Sequence, residues 1–299
     1  MAINRDAFEL LCWSKKQGAN SWNRVLTLGR QSVILQPWDV NAWRNTSGGK
    51  LKFDSFLNRY DDASAGEELL KNLGASSVSS MDVSAYEGAS IVHNLNQPIP
   101  EDLKLSFDVV YDGGTLEHVF DYPVALCNAL SMVKEGGWFL SITPSNMWCG
   151  HGFYQIGPDV FRAIINESNG FELSLMAFAV SSYQKEYWIY DSKKLKSDGR
   201  LGISSNKPTC LLIAARRISS VLIPKLTVEQ PDYVSRWDAS ALGGSKLERP
   251  VKLGVLRLLL GRVSSFLPWS LRGRIRHWLS WKKIYASHST GLRRSNSLQ

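Results

Sequence analysis

The feature that most constrains the fold is a short apolar run that leads straight into a glycine turn. Residues 107–111 read Phe-Asp-Val-Val-Tyr, and Asp112-Gly113-Gly114 follow directly. A helix-like segment comes next, so the pattern is that of a buried strand, a tight turn and a helix. In an open α/β sheet the carboxyl end of such a strand is where ligands bind. The segment therefore predicts a sheet with a ligand site at its edge.

Apolar runs alternate with helical patterns between residues 24 and 215, which is the rhythm of repeated βαβ units. The predicted strands are 24–28, 77–81, 90–93, 107–111, 138–143, 172–178 and 209–215, and the predicted helices are 65–73, 122–134 and 158–168. Gly136-Gly137 is expected to end the second of these helices. We predict an α/β fold: a Rossmann-like, mostly parallel seven-stranded sheet with helices on both faces, plus a basic C-terminal helical tail.

Charge is distributed very unevenly along the chain. The formal net charge is +8, but residues 245–299 contain 12 Lys and Arg with Glu248 as the sole acid, so the first 244 residues carry −3. A nucleic-acid-binding domain would instead carry basic residues across its folded surface. We predict three parts: an α/β domain at 1–217, a linker or arm at 218–249, and a basic amphipathic helical tail at 250–299.

Cysteine usage bears on the cellular compartment. The four cysteines are scattered without a C-x-x-C pair, and the first residues lack the apolar core of a signal peptide. We expect a reduced, cytoplasmic environment, no disulfide framework, no zinc knuckle and no metal site.

Residues 107–119 resemble the fourth-strand motif of class I S-adenosylmethionine-dependent methyltransferases, particularly the small-molecule and saccharide branch. In that family a strand of the form FDxV is followed within ten residues by LEHV. Here these are Phe-Asp-Val-Val at 107–110 and Leu-Glu-His-Val at 116–119. The resemblance covers residues 22–180, and it implies S-adenosylmethionine as the cofactor and methyl transfer as the reaction.

The glycine turn after the first predicted strand departs from the family pattern. A methyltransferase has G-x-G-x-G there, which lets the backbone approach the cofactor. In this chain Gly29 keeps the first glycine, whereas Gln31 and Val33 replace the other two, and Thr27 replaces the usual acid. The resemblance still assigns Gly29 and Arg30 to cofactor binding. The alternative is an ordinary buried strand that ends in a glycine turn.

Five further residues at predicted strand ends are assigned to the cofactor. Asp82 follows the second strand, where the family has a carboxylate that accepts both ribose hydroxyls; a turn-forming Asp is the alternative. Asn94 and Leu95 align with the family's hDLNxP segment, whose acid and apolar residue frame the adenine. Asn94 replaces that acid with an amide that can still accept a hydrogen bond. Asp112 and Gly113 follow the fourth strand, and a turn role for Asp112 stays open.

Two histidines are candidates for the catalytic base. Methyl transfer needs alignment and a base for the acceptor proton, and histidine titrates in a suitable range. His151 lies in the loop 150–155, Gly-His-Gly-Phe-Tyr-Gln, and similar loops occur in methyltransferase-like proteins encoded with surface-polysaccharide enzymes. His118 resembles the LEHV histidine near the methyl group, with packing against the next helix as the alternative. Trp148 and Tyr154 are candidates to contact the acceptor, or else core residues.

Residues 250–285 combine Lys and Arg with Leu, Ile, Val, Phe and three tryptophans. No apolar run reaches about 18 residues, so no membrane-spanning helix is expected. The composition suits an interfacial segment on anionic lipid, and a helical hairpin packed on the core is the alternative. We expect peripheral contact with the inner face of the membrane.

Together these residues predict a methyltransferase that acts on an oxygen, less readily a nitrogen, of a small-molecule or saccharide-type (glycan) acceptor, in surface polysaccharide biosynthesis. The alternative is a catalytically inactive methyltransferase-like binding module that its basic tail recruits to membrane. No nucleic-acid partner is expected, because the first 244 residues are acidic overall and the N/D-P-P-Y/F tetrapeptide is absent.

Overall fold

The computed structural model describes residues 2–17, 22–40, 59, 61–180, 186–190, 203–221, 285–286 and 292–298 of the 299-residue chain. The chain divides into two compact units. One comprises residues 1–191, 207–228 and 292–299, and the other comprises 192–206 and 229–291.

The described elements lie mostly in the first unit. The strands are Ala2–Ile3 (β1), Arg24–Leu28 (β2), Ser32–Val33 (β3), Ser77–Asp82 (β4), Ile91–Val92 (β5), Phe107–Asp112 (β6), Val133–Asn146 (β7), Phe171–Val180 (β8), Tyr187–Tyr190 (β9), Ile203–Ser204 (β10), Thr209–Arg217 (β11), Tyr285–Ala286 (β12) and Leu292–Ser295 (β13). The helices are Arg5–Lys16 (α1), Ala65–Asn72 (α2), Tyr122–Ser131 (α3) and Pro158–Ile164 (α4), and 3-10 turns cover Glu101–Leu103, Leu116–His118 and Glu167–Asn169. Within the second unit, β10 pairs with β12.

The main sheet has the order β13-β9-β8-β11-β7-β6-β2-β4-β5. Strands β5, β4, β2, β6 and β7 are parallel, and β11 runs antiparallel between β7 and β8. The chain builds the sheet outward from β2 in both directions, so the strand order reverses there, as at the switch point of a doubly wound fold. The predicted Rossmann-like, mostly parallel fold is confirmed, and all seven predicted strands are present.

The far edge of the sheet differs from the prediction. Two further strands, β9 and β13, give the main sheet nine strands among the described residues instead of seven. β13 pairs antiparallel with β9, with Leu292 opposite Tyr190. The prediction of a helical tail is therefore wrong for residues 292–295, because their backbone pairs with a sheet edge. Residues 250–284, which hold almost all of the predicted membrane segment, lie outside the described residues.

Helices cover both faces of the parallel strands, as predicted. On one face, Val109 and Tyr111 of β6 are buried in a cluster with Leu11 of α1 and Leu69 of α2. Because side chains alternate along a strand, Val110 projects to the opposite face, and α3 packs against β7 outside that cluster. The apolar runs seen in the sequence are thus strands buried on both sides.

The helix predicted at 122–134 is shorter in the structure. The Asp121 carboxylate caps its first turn by accepting a hydrogen bond from the Val124 N–H at 3.4 Å, and the helix ends at Ser131. Strand β7 begins two residues later and contains the glycine pair that was expected to end the helix. A Cβ at Gly137 would lie 2.7 Å from the Asp108 carbonyl oxygen. The glycine is therefore needed for the close approach of β7 to β6.

No helix among the described residues is long and apolar enough to cross a lipid bilayer.

Candidate functional site

A cavity of about 410 Å³ lies at the carboxyl ends of β4, β5 and β6. Its lining residues are Met81, Asp82, Val83, His93, Asn94, Leu95, Asn96, Thr115, His118 and Val119. They come from β4 and β5 on one side of β2 and from the turn after β6 on the other. A crevice between these two groups is the usual ligand site of an open α/β sheet, and its volume is within the range of small-molecule sites.

Three residues predicted to bind the cofactor line this cavity. Leu95 is buried, and Asp82 is half-buried at the end of β4. The Asp82 carboxylate accepts a hydrogen bond from the Ser84 N–H at 3.4 Å, which leaves most of its acceptor capacity unused by the described residues. The Asn94 side-chain oxygen accepts two hydrogen bonds from Asn96, at 3.0 and 2.8 Å. The structure therefore brings Asp82, Asn94 and Leu95 together at one opening.

The turn after β2 is closed by the Gln31 side chain. Gly29 adopts a φ of +67°, and its N–H donates to the Met81 carbonyl at 2.7 Å. Gln31 is 1% exposed, and its Nε2 donates to the Leu28 carbonyl at 3.1 Å. A Cβ on Gly113 would lie 2.5 Å from the Gln31 Oε1. Gly29 and Gly113 therefore belong to a packed turn and are not among the residues that line the cavity.

Arg30 is engaged by acidic and carbonyl groups on the outer side of this turn. Its Nε donates to the Glu67 carboxylate at 2.9 Å, and its Nη1 donates to the Glu87 carbonyl at 2.6 Å. The ion pair is mostly buried, with both side chains no more than 20% exposed. Arg30 thus ties β2 to α2 and to the loop after β4, and it is not among the cavity-lining residues.

Asp112 holds the turn that carries His118, one of the two catalytic candidates. Its side chain is fully buried, and one oxygen accepts hydrogen bonds from the N–H groups of Thr115 and Leu116 at 2.9 and 3.2 Å. The other oxygen accepts from the Ser141 hydroxyl at 2.7 Å. Burial raises the pKa of Asp112, and these hydrogen bonds oppose the rise. Asp112 therefore positions the 3-10 turn Leu116–His118, and it is not among the cavity-lining residues.

The two predicted catalytic histidines lie side by side, and Glu117 joins them. The His118 and His151 rings are 5.2 Å apart between centroids. The His151 Nε2 lies 3.6 Å from the Glu117 Oε1. Glu117 is fully buried, and burial, followed by the nearby charge of Asp112, raises its pKa to about 8. Burial, followed by the charge of His151, lowers the pKa of His118.

The backbone of Glu117 fixes the loop that carries His151. The Glu117 carbonyl accepts hydrogen bonds from the N–H groups of Phe153 and Tyr154, at 2.9 and 3.3 Å. A Cβ on Gly152 would lie 3.0 Å from the same carbonyl oxygen, so the glycine lets the loop approach. These contacts place His151 beside Glu117 although the two are more than thirty residues apart in sequence.

Aromatic side chains lie on and against the loop that carries His151. The Trp148 and His151 rings are 5.3 Å apart. Phe120 and Phe153 are 72% and 66% exposed and meet edge to face at 5.8 Å. The Tyr154 hydroxyl donates to the Phe120 carbonyl at 2.6 Å. Trp148 and Tyr154, the two residues predicted to contact an acceptor, form an aromatic rim together with Phe120 and Phe153.

Sequence reasoning did not select Glu117 as a site residue. The residue stands inside the LEHV motif, but only the structure shows that its carboxylate is buried and directed at His151. An acid that precedes a histidine in an otherwise apolar turn was the available signal. The roles assigned to His118 and His151 stay predictions.

No protein-family model matches the chain. No curated protein matches it either. Among solved structures, the chain is similar to the N-methyltransferase NodS from Bradyrhizobium japonicum WM9, with 11% identity and a TM-score of 0.40 over 72% of this chain and 96% of that one. It is also similar to a TehB-like SAM-dependent methyltransferase from Corynebacterium glutamicum ATCC 13032, with 14% identity and a TM-score of 0.37 over 70% of this chain and 87% of that one. The likeness bears on the fold alone, and the fold assignment rests on the strand order described above.

Proposed function

We propose that this protein is an S-adenosylmethionine-dependent methyltransferase that methylates an oxygen of a small-molecule or saccharide-type acceptor. The observation that carries the proposal is the position of the cavity. Asp82 and Leu95 line it on one side of the switch point, and His118 lines it on the other, beside His151. Side chains suited to hold a nucleoside and side chains suited to accept a proton are thus adjacent across one crevice.

The lining residues fit the nucleoside half of the cofactor. The Asp82 carboxylate has acceptor capacity for a vicinal diol, and Met81, Val83 and Leu95 offer apolar surface to a purine. Gln31 fills the space over Gly113. The closed turn after β2 therefore holds the neighbouring strands in place without itself contacting the nucleoside. Bound S-adenosylmethionine would supply an electrophilic methyl group.

The histidine pair supplies the base. A base must take the acceptor proton, and an imidazole beside Glu117 is suited to that step, because above the Glu117 pKa of about 8 the carboxylate stabilises the imidazolium. The His151 Nε2 lies 3.6 Å from the Glu117 Oε1, which is close enough to tighten into a hydrogen bond. We assign His151 as the base and His118 as the second candidate.

The aromatic rim favours a saccharide-type acceptor. Exposed aromatic rings offer flat apolar surface, and Phe120 and Phe153, each two residues after one of the histidines, expose most of their area. Apolar faces of a sugar ring match such a surface. A role in surface-polysaccharide synthesis, with the segment 250–285 on the inner face of the membrane, follows from this acceptor class and from the charge of the tail.

Calorimetric titration with S-adenosylmethionine tests the proposal. We expect saturable binding by the full chain and at least about tenfold weaker binding by Asp82→Ala, because two charge-assisted hydrogen bonds are lost. The matched control is Asp102→Ala, an exposed acid before β6 at the opposite edge of the sheet, which should bind normally. Absence of binding by the wild-type chain would favour the catalytically inactive binding module.

A further inference from the structure

We propose that Glu117, His118 and His151 form a binding site for one divalent transition-metal ion beside the cavity. Each residue offers a ligand atom, and these atoms all lie within 4.8 Å of one another. Ligand atoms that share one Zn²⁺ at about 2.1 Å lie roughly 3.4 Å apart in a tetrahedral site, so they have to approach by at most about 1.4 Å. The side chains of both histidines are partly exposed, which leaves their rings room to rotate.

The buried carboxylate of Glu117 gives independent support. Its Oε1 has no hydrogen-bond partner in the described part of the chain, although the side chain is fully buried. The Oε2, by contrast, accepts from the Thr143 hydroxyl at 3.4 Å. Buried polar atoms normally have a partner. The free oxygen faces the His151 Nε2 at 3.6 Å, so a cation between the two would satisfy both groups.

The surroundings position Glu117 and the loop that carries His151 before an ion binds. The Glu117 carbonyl accepts from Phe153 and Tyr154 and so fixes the loop that carries His151. A Cβ on Gly114 would lie 3.0 Å from the Glu117 Oε1, so this glycine keeps space around the oxygen. Supporting contacts of this kind are what orient the ligands of a metal site.

The ligand set indicates which ions fit. Two imidazoles and one carboxylate suit Zn²⁺, Fe²⁺ or Mn²⁺ and leave at least one coordination position open. His118 lines the cavity, so the open position is next to it. On the proposed function, on which this step rests, an acceptor hydroxyl would bind there, and the ion would make it more acidic. With the ion bound, His118 and His151 would act as ligands and His151 would no longer be the base, so the hydroxyl proton would pass to water.

Calorimetric titration of the chelator-treated full chain with Zn²⁺ tests the site. We expect one ion per chain, and at least about tenfold weaker binding by His118→Gln and by His151→Gln, because each removes a ligand. These substitutions are at exposed positions and should leave the fold intact. The matched control is His93→Gln, a cavity-lining histidine outside the cluster, which should bind Zn²⁺ like the wild type. Equal binding by all of these variants, or no saturable binding by the wild type, would overturn the site.

Co²⁺ absorption spectra add a readout of the ligands. We expect visible bands from a nitrogen and oxygen environment that are lost in His151→Gln and unchanged in Cys149→Ser, which removes the exposed thiol near the loop. A thiolate band that Cys149→Ser abolishes would show that the ion binds elsewhere.

Titration with S-adenosylmethionine in the presence of chelator separates the metal site from the proposed function. If the chain binds the cofactor there but does not bind Zn²⁺ in the metal titration, the metal site is contradicted and the proposed function is not.

Discussion

The ends of two neighbouring parallel strands differ sharply in this protein. After β2 the chain makes a turn that Gln31 fills, with its side chain 1% exposed and packed on Gly113. After β4 the chain opens onto the cavity through Asp82, which keeps unused acceptor capacity among the described residues. In the class I methyltransferases that the sequence resembles, both strand ends contact the cofactor. In this protein the end of β2 is packed into the core, and the end of β4 has the features of a binding site.

This difference shows that closure of one strand end need not close the neighbouring one. The closed turn still fixes β2 against α2, because the Gly66 N–H donates to the Gln31 carbonyl at 2.8 Å. A fixed β2 in turn holds β4 and β6 at the spacing that forms the crevice. The open end then depends on side chains of β4, β5 and the turn after β6.

The largest effect is expected from His151→Ala on the open side. Loss of the base, or of a metal ligand, should reduce turnover by roughly two to four orders of magnitude, whereas the affinity for S-adenosylmethionine should stay nearly the same. Steady-state kinetics together with calorimetry measure the two quantities on the same variant. Turnover at the wild-type level would show that the loop is structural and would move the assignment to His118.

A smaller effect, on stability instead of turnover, is expected when a glycine at the closed turn is replaced with alanine. A Cβ on Gly66 would lie 2.5 Å from the Gln31 carbonyl oxygen, so Gly66→Ala should lower the free energy of unfolding by about 1 to 3 kcal/mol. Gly157→Ala is the control, because nothing lies within 4 Å of its Cβ, and it should change stability by less than about 1 kcal/mol. Chemical denaturation measures both.

A double-mutant cycle tests whether the Gln31 side chain is what closes the turn after β2. Gly113→Ala clashes with the end of the Gln31 side chain, so Gln31→Ala in the same chain should restore part of the lost stability. Gly66→Ala clashes with the backbone and Cβ of Gln31, so the same second substitution should not restore it. Equal rescue of both would mean that the Gln31 side chain does not close the turn.

The smallest effect per residue is expected from the basic tail. Each Lys or Arg near an anionic surface contributes about 1 kcal/mol, screened within about 8 Å at physiological salt. The full chain should therefore co-sediment with anionic liposomes at low salt, and a full-length variant with the Lys and Arg of 250–285 changed to Gln, which keeps β13, should not. Equal sedimentation of the two, or binding that ignores salt and lipid charge, would contradict the membrane contact.

The strands could be predicted from sequence because buried parallel strands are continuous apolar runs bounded by turn residues. β13 was missed because it pairs with β9 from about a hundred residues away, and such pairing leaves no local signal. β9 pairs with the nearby β8, but its four residues, three of them aromatic, do not form the kind of apolar run by which the other strands were predicted. The helix at 122–131 was extended too far, since a glycine pair after a helical pattern predicts a helix end as readily as a close strand contact.

The positions of several residues of the candidate site could also be predicted from the sequence, but the packing around them could not. Asp82, Asn94, Leu95 and His118 follow strands whose carboxyl ends meet in any parallel sheet, so their proximity followed from the fold. The closure of the β2 turn by Gln31 and the burial of Glu117 depend on packing across elements. A one-dimensional pattern does not contain that information.

A crystal structure of the full chain with S-adenosylhomocysteine tests the central claim most directly. We expect the two ribose hydroxyls within hydrogen-bond distance of the Asp82 carboxylate, the adenine next to Leu95, and Gln31 still packed on Gly113. A nucleoside bound away from Asp82, or a cofactor that displaces Gln31 and lies over Gly113, would contradict the account.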